Sequence, residues 1–266
     1  MRYILAIILF ITITSFKNEE EFYVTYISKP GAVRLASNNL PVKVGDKLTF
    51  SIRLYFERNS KITGVNPDRG RFEYDGTGVL GKTKKGFIAR LRDMIGEPEK
   101  YGSFLVRSSD FRGYDPKTYF NSNSTDGSIL FIDGVNIPLS SYYNDHVNSF
   151  FFIQFEDMGK TIVRKVQQNK GSLIFNQQIF SSANGKSITG VYLLCRQFKE
   201  SGKSRSETIA TFKPVFADKE TIIEQINVFK IHSGLKDKDS LNNMILSHLY
   251  SNYGKVGIEI IDELFK

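Results

Sequence analysis

A mainly β, α+β fold is predicted by three observations. Short apolar or alternating segments separated by turn chemistry fill the chain from Phe22 to Tyr74 and again from Gly102 to about Val215. Strands do not alternate with long helices, as a parallel α/β sheet would require. The apolar period then changes to a helical one after Asp218. Division at these changes gives residues 1–16 as a signal peptide and 17–81 as a small β barrel or sandwich. A connector helix follows over 82–98, a second antiparallel β-sandwich over 99–216, and a helical subdomain over 217–266.

The N-terminal stretch "MRYILAIILFITITSFKNEEEFY" has the layout of a secretory signal. Arg2 is a minimal positive region, Tyr3 to Ile13 form an apolar core, and Thr12, Thr14 and Ser15 offer small residues for cleavage. The apolar run is shorter than the roughly 20 residues that span a bilayer. The alternative is an uncleaved anchor, and both readings place the body outside the inner membrane, in the periplasm or at the cell surface. A single cysteine excludes an intramolecular disulfide in such a compartment. The 41% hydrophobic and 13% aromatic content is enough to hold the fold by packing alone.

In the first β domain "EFYVTYI", "AVRLA", "KLTFSIRLYF", "KITGVN" and "RFEY" read as strands. They are separated by "SKPG", "SNNLP", "VGD", "ERNS" and "PDRG". Leu48, Phe50, Ile52, Leu54 and Phe56 share one face by period two, which predicts one continuous half-buried strand. In "KKGFIARLRDMI" the residues Phe87, Ile88, Leu91, Met94 and Ile95 make a helical stripe ended by Gly96 and Pro98. This is the predicted connector. The second domain is read from "SFLVRS", "SILFIDGVNIPL", "SFFFIQFE", "KTIVRKV", "SLIFN", "SITGVYLLCRQF" and "ETIATFKPVF". In the tail Asp218 is a candidate N-cap for a helix stopped at Gly234. A second helix carries Leu241, Met244, Ile245 and Leu249 inward and stops at Gly254, and Ile258, Ile261 and Phe265 pack a last turn.

The spacing G-x-x-x-x-G-K-T from Gly76 to Thr83 matches a phosphate-binding P-loop, with Asp133 after "SILFI" as a possible Mg²⁺-orienting carboxylate. A working P-loop follows a buried, near-continuously apolar parallel strand, whereas "RFEY" is charged and alternating. Nucleotides are also scarce in the expected compartment. The glycines are therefore read as those of a long turn, with no nucleotide and no cofactor expected.

Other candidates are equally plain. Cys195 with His146 is a conceivable nucleophile and base, but Val191, Leu193 and Cys195 share a face, which predicts a buried thiol. His232 and His248 stand on different helices without carboxylates at ligand spacing, and no metal site is expected. Glu156, Asp157, Asp75, Asp133 and Asp145 fall at strand ends or loops, and no catalytic pair is assigned among them; "DGVN" reads as a tight turn. The basic cluster Lys82, Lys84, Lys85, Arg90 and Arg92 is the candidate binding patch, either for an anionic surface or as a solvated helix face. Tyr142, Tyr143 and Phe150 to Phe152 are read as core, with some left on a binding edge.

The formal charge of +8 suits an acidic partner. In an exported protein it points to an envelope protein or an anionic membrane surface rather than to nucleic acid. The absence of Trp weakens a sugar-binding reading, although 13 Tyr and 22 Phe offer other rings.

Gly31 to Tyr74 resembles FecR-like envelope domains in its order of a short strand, "VGDKL", a strand, and "SKITGVNPDRGRF" closing on a turn. The remainder is similar to uncharacterised exported proteins of Gram-negative envelopes in "KKGFIARLRDM", "SFFFIQFEDMGKTIVRKV", "TIATFKPVF" and "SNYGK". The resemblance implies a periplasmic or surface β-rich module and brings no catalytic residues. The expected function is therefore a non-enzymatic binding or scaffold module of the envelope. The alternative is an exported hydrolase with its site on loops of the second β domain, and a nucleotide-binding protein using Gly76–Thr83 comes third.

Overall fold

The computed structural model describes residues 20–75, 87–90, 116–120, 127–144, 149–169, 171–182, 189–257, 260 and 264. The fold is mainly β with C-terminal helices, as the sequence predicts. The chain divides into two compact units, one of residues 1–100 with Asn227–Leu235 and one of Tyr101–Ile226 with Lys236–Lys266.

In the first unit β1 (Glu21–Ile27) lies between β3 (Lys47–Thr49) and β5 (Lys61–Asn66), and β6 (Gly70–Asp75) completes an antiparallel sheet of order β3-β1-β5-β6. A second sheet has the order β2-β4-β7, from β2 (Val33–Leu35), β4 (Arg53–Phe56) and β7 (Phe87–Arg90). Both contribute to one core, with Phe22, Val24, Leu48 and Ile62 from the first and Val33, Leu54 and Phe56 from the second. The alternation in "EFYVTYI" sends Phe22 and Val24 into this core, as period two requires. Asn66 holds the β5–β6 turn by accepting the backbone N–H groups of Asp68 and Arg69, while its amide donates to the Glu21 carbonyl.

Two expectations are corrected here. The continuous strand over "KLTFSIRLYF" is two strands in two sheets, turned by a bond from the Ile52 N–H to the Thr49 carbonyl. Leu48, Leu54 and Phe56 still reach the same core, and Phe50 and Ile52 pack against its edge. The period-two pattern survives because both sheets face that core. The connector helix is also corrected, because Phe87–Arg90 is a strand whose residues pair antiparallel with Arg53–Phe56. Pairing along β4 completes backbone hydrogen bonds there, and tertiary context of this kind overrides a short helical stripe.

In the second unit the sheet order is β11-β10-β14-β15-β8. Its strands are β8 (Ser128–Ile132), β10 (Phe150–Asp157), β11 (Lys160–Lys165), β14 (Tyr192–Glu200) and β15 (Lys203–Ala217). A smaller sheet of order β12-β13-β9 joins β9 (Val135–Pro138), β12 (Gln167–Asn169) and β13 (Ser172–Phe175). One aromatic core includes Phe131, Phe151, Phe155, Phe175, Phe180, Tyr192 and Phe212, with Phe120 from the short helix α1 (Pro116–Phe120). Ring pairs such as Phe180–Tyr192, at 5.2 Å and 82°, are edge-to-face, the arrangement favoured by the quadrupole.

The expected sandwich is antiparallel except at one pairing, because β8 joins β15 in parallel. Ile129, Leu130 and Phe131 are all fully buried, so β8 is covered on both faces, as parallel strands usually are. The tight turn at "DGVN" forms with Asp133 and Gly134 at positive φ, but β8 and β9 diverge from it into separate sheets.

Helix α3 (Lys219–His232) begins after Asp218, whose carbonyl accepts from the Ile222 N–H, and Gly234 follows its end at φ 70°. Helix α4 (Lys238–Tyr253) is capped by Asp237, whose carboxylate accepts from the Ser240 N–H, and ends at Gly254. Met244, Ile245 and Leu249 are buried as predicted. The expected packing residues Ile258, Ile261 and Phe265 lie outside the described residues, while Ile260 is buried. Beyond Gly254 the chain returns to the large sheet. The Lys255 N–H donates to the Ser128 carbonyl and its own carbonyl accepts from the Leu130 N–H, covering the free edge of β8.

Candidate functional site

The large sheet of the second unit has one edge covered by Lys255 and the other formed by β11. Among the described residues β11 pairs on one side only, with β10. Its hairpin with β10 closes through Met158 and Gly159, both at positive φ, as a two-residue turn matching strand twist requires. Met158 is 96% exposed at that tip.

Phe151, Ile153 and Phe155 of β10 enter the core, so Phe150, Phe152 and Gln154 stand on the opposite face. Register extends this outer face across the sheet: Phe152 lies opposite Lys165 on one side and Cys195 on the other, and Gln154 opposite Val163 and Leu193. The Lys165 ammonium sits 5.3 Å from the Phe150 ring centre. Val163 is 58% exposed, between Lys160 and Lys165, which are both exposed. Ile162 turns inward to the core, and Arg164 donates to the carbonyls of Gln178 and Ile179. The outcome is a half-apolar strip along an open, cationic edge.

On the core side of β14, beyond Tyr192 and Leu194, comes Arg196, buried to 1%. Its guanidinium carbon lies 5.5 Å from the ring centre of Tyr142, 5.1 Å from Tyr143, 6.0 Å from Phe151 and 5.3 Å from Phe198. Tyr142 and Tyr143 belong to the single turn α2 (Ser141–Asn144). Nη1 stands 3.6 Å from a Glu207 carboxylate oxygen, and Nη2 donates to the Tyr143 carbonyl over 3.4 Å. Among the described residues Nε is buried without a hydrogen-bond partner.

A third polar group joins the two long helices. His248 is fully buried, with Nε2 3.0 Å from the Gln225 amide oxygen and Nδ1 3.1 Å from the Asn252 amide nitrogen. The Gln225 amide nitrogen donates to the Tyr253 hydroxyl at 2.6 Å, leaving its oxygen as the acceptor for Nε2–H. This assigns a neutral ring protonated at Nε2. His248 is thus packed inside the helical region beside the buried Ile245 and Leu249.

The remaining sequence candidates fall as follows. Lys82, Lys84, Lys85 and Arg92 of the basic patch lie outside the described residues, and Arg90 ends β7 opposite Arg53. The patch is thus not on a helix over Phe87–Arg90. Gly76–Thr83 also lies outside the described residues, but its flanks do not have P-loop architecture. β6 before it pairs antiparallel with β5, and β7 follows as a strand. His146 and Asp145 lie outside the described residues. Cys195 is buried, with Sγ 3.8 Å from the Thr208 hydroxyl. The core-facing parity of β14, however, is that of Tyr192 and Leu194 rather than Val191 and Leu193. Glu156 accepts from the Thr161 hydroxyl at 2.6 Å across the β10–β11 turn. Asp133 occupies the tight turn, and Asp75 ends β6 opposite Lys61. His232 stacks on Tyr23, and no metal-ligating group of three His, Cys, Asp or Glu occurs among the described residues. Burial pushes the Tyr192 hydroxyl up to about 12, and it donates to the Phe180 carbonyl, so it remains a neutral structural donor.

Sequence reasoning missed Arg196. The signal was a charged residue at the inward parity of "YLLCR", but the rings that enclose it are distant in sequence. Comparison with protein-family models, curated proteins and solved structures yields no match.

Proposed function

We propose that the chain is an exported, non-enzymatic binding module of the cell envelope that takes an extended, acidic segment of another envelope protein along β11. The observation that carries this reading is the open edge, with half-exposed Val163 between exposed Lys160 and Lys165. An added strand completes backbone hydrogen bonds left unpaired at a sheet edge, and alternate side chains supply selectivity. Cations along an edge also disfavour pairing with a second copy of the same cationic strand. That bias selects an acidic partner over self-association. The signal-like N-terminus and the FecR-like resemblance of Gly31–Tyr74 support the envelope compartment in the same reading.

The test places a photo-reactive residue at Val163 in cells, with Thr211 on β15 as the control position. The expected result is an adduct from position 163 only, in the envelope fraction, mapping by mass spectrometry to an acidic polypeptide segment. Lys160→Glu with Lys165→Glu should abolish it. Lipid adducts alone would move the assignment to an anionic membrane surface, and equal adducts from both positions would remove it. The mature N-terminus, read by mass spectrometry, tests export separately. A start near Phe16 to Asn18 supports it, and an intact Met1 in cytosol opposes it.

A further inference from the structure

With β11 taken as the binding edge, as proposed above, its hydrogen-bond parity also sets the side-chain pattern of the partner. The Val166 N–H donates to the Phe151 carbonyl, and Asp157 and Lys160 flank the two-residue turn at Met158 and Gly159. Both observations fix the same alternation of hydrogen-bonded and non-hydrogen-bonded pairs along the hairpin. Ile162 and Arg164 therefore turn their backbone groups to β10. Thr161, Val163 and Lys165 turn theirs to the open side, each with one N–H and one carbonyl. Among the described residues no strand pairs with β11 on that side. The side chains of the same three residues stand on the outer face, opposite Glu156, Gln154 and Phe152.

Two cations bracket this strip. Lys160 and Lys165 are exposed, and neither has an ion-pair partner among the described residues. The Lys165 ammonium is held over the Phe150 ring. We propose that the partner strand pairs antiparallel with β11 and carries the pattern acid-x-apolar-x-x-acid, read from its own N-terminus. The apolar residue lies opposite Val163, the first acid opposite Lys165 and the second opposite Lys160. Antiparallel pairing lets each outward residue exchange both of its bonds with one opposite residue, the more stable ladder. An apolar residue opposite Val163 covers a side chain left 58% exposed. Val163 lies two positions from Lys165 and three from Lys160, so the pattern has a direction. A partner with the reversed order matches only in parallel.

Three blocked peptides test this on the full-length protein by amide hydrogen exchange: TETVTTET, its reversal TETTVTET, and the neutral TQTVTTQT. The first is expected to protect the Thr161, Val163 and Lys165 amides saturably. The other two should bind at least threefold more weakly. Charge exchange then fixes the register. Lys165→Glu should lose affinity for TETVTTET and regain it with TKTVTTET, whereas Lys160→Glu should regain it with TETVTTKT. Both lysines are exposed, so neither change disturbs the core. Equal binding of the three peptides, preference for the reversed one, or rescue in the crossed combination overturns the proposal. So does the absence of protection by any of them. The edge itself is tested separately by the cross-link from Val163. Adducts there without a peptide preference would remove the pattern and keep the edge, and loss of the adducts would remove both.

Discussion

The imidazole of His232 lies flat on the phenol ring of Tyr23, with centroids 3.5 Å apart and planes 8° from parallel. This stack fixes the end of α3 against β1 within the first unit. Tyr23 donates to Glu21 at 2.9 Å, and Glu21 also pairs with Lys47. The Lys47 ammonium and the Tyr23 hydroxyl hold the Glu21 carboxyl below its ordinary value. Burial holds the His232 imidazole below its ordinary 6.5, with partial opposition from Glu21.

The unfolded chain therefore binds a proton at His232 more readily than the folded one. The associated stability is fully present above about pH 6.5 and declines as pH falls through that value. Between pH 7.5 and 5.5 the urea midpoint should fall more in wild type than in His232→Phe, which keeps a ring on Tyr23 without titrating. Glu21 remains ionised across this window. Equal falls in the two proteins would contradict the assignment.

Gln225→Leu leaves the His248 Nε2–H and the Tyr253 hydroxyl without their observed amide partner. A buried polar group stripped of its partner costs about 1–3 kcal/mol, and urea denaturation should show a loss of that order. Gln225→Leu combined with His248→Leu should cost less than the two single changes added, because the orphaned donor is removed with its acceptor.

Gly254→Ala meets two obstacles together. The position has φ 87°, and a Cβ there would run into the Ser128 backbone. The expected loss is about 1–3 kcal/mol for the strained backbone alone. Hydrogen exchange should show the specific consequence, with loss of protection at the Lys255 and Leu130 amides and persistence along β10 and β14.

Cys195 is 5% exposed, with its thiol against Thr208. A bulky thiol reagent should leave it unmodified in the native protein and modify it fully in denaturant. Rapid native labelling would show that the outer face opens there.

Much of this architecture was legible because side-chain parity reports burial directly. "EFYVTYI" matches β1 to the residue, since alternation needs only one buried face. The tail helices were legible through Asp218 before the first and a glycine after each, whereas the Asp237 cap of the second was not read from the sequence. The break within "KLTFSIRLYF" was hidden because both halves face one core, so parity never slips. The β7 segment was misjudged because Phe87 and Ile88 suit either period and pairing with β4 decides between them. β8 did carry a signal of its parallel pairing in the unbroken run "SILFI". The open β11 edge was invisible, because edge position depends on strand order, not on the strand's own residues. The Arg196 cage was hidden for a related reason: Tyr142, Phe151 and Phe198 converge only after β10 and β14 pair.

The pairing of Ser128–Ile132 with Lys213–Ala217, and its sealing by Lys255, has a temporal consequence. During synthesis the greasy "SILFI" segment emerges long before either neighbour exists. Contacts between such distant stretches form slowly, because a large loop must close first. The half-made polypeptide is thus exposed to aggregation at this segment until its partners are made. Residues made late determine when the segment becomes safe.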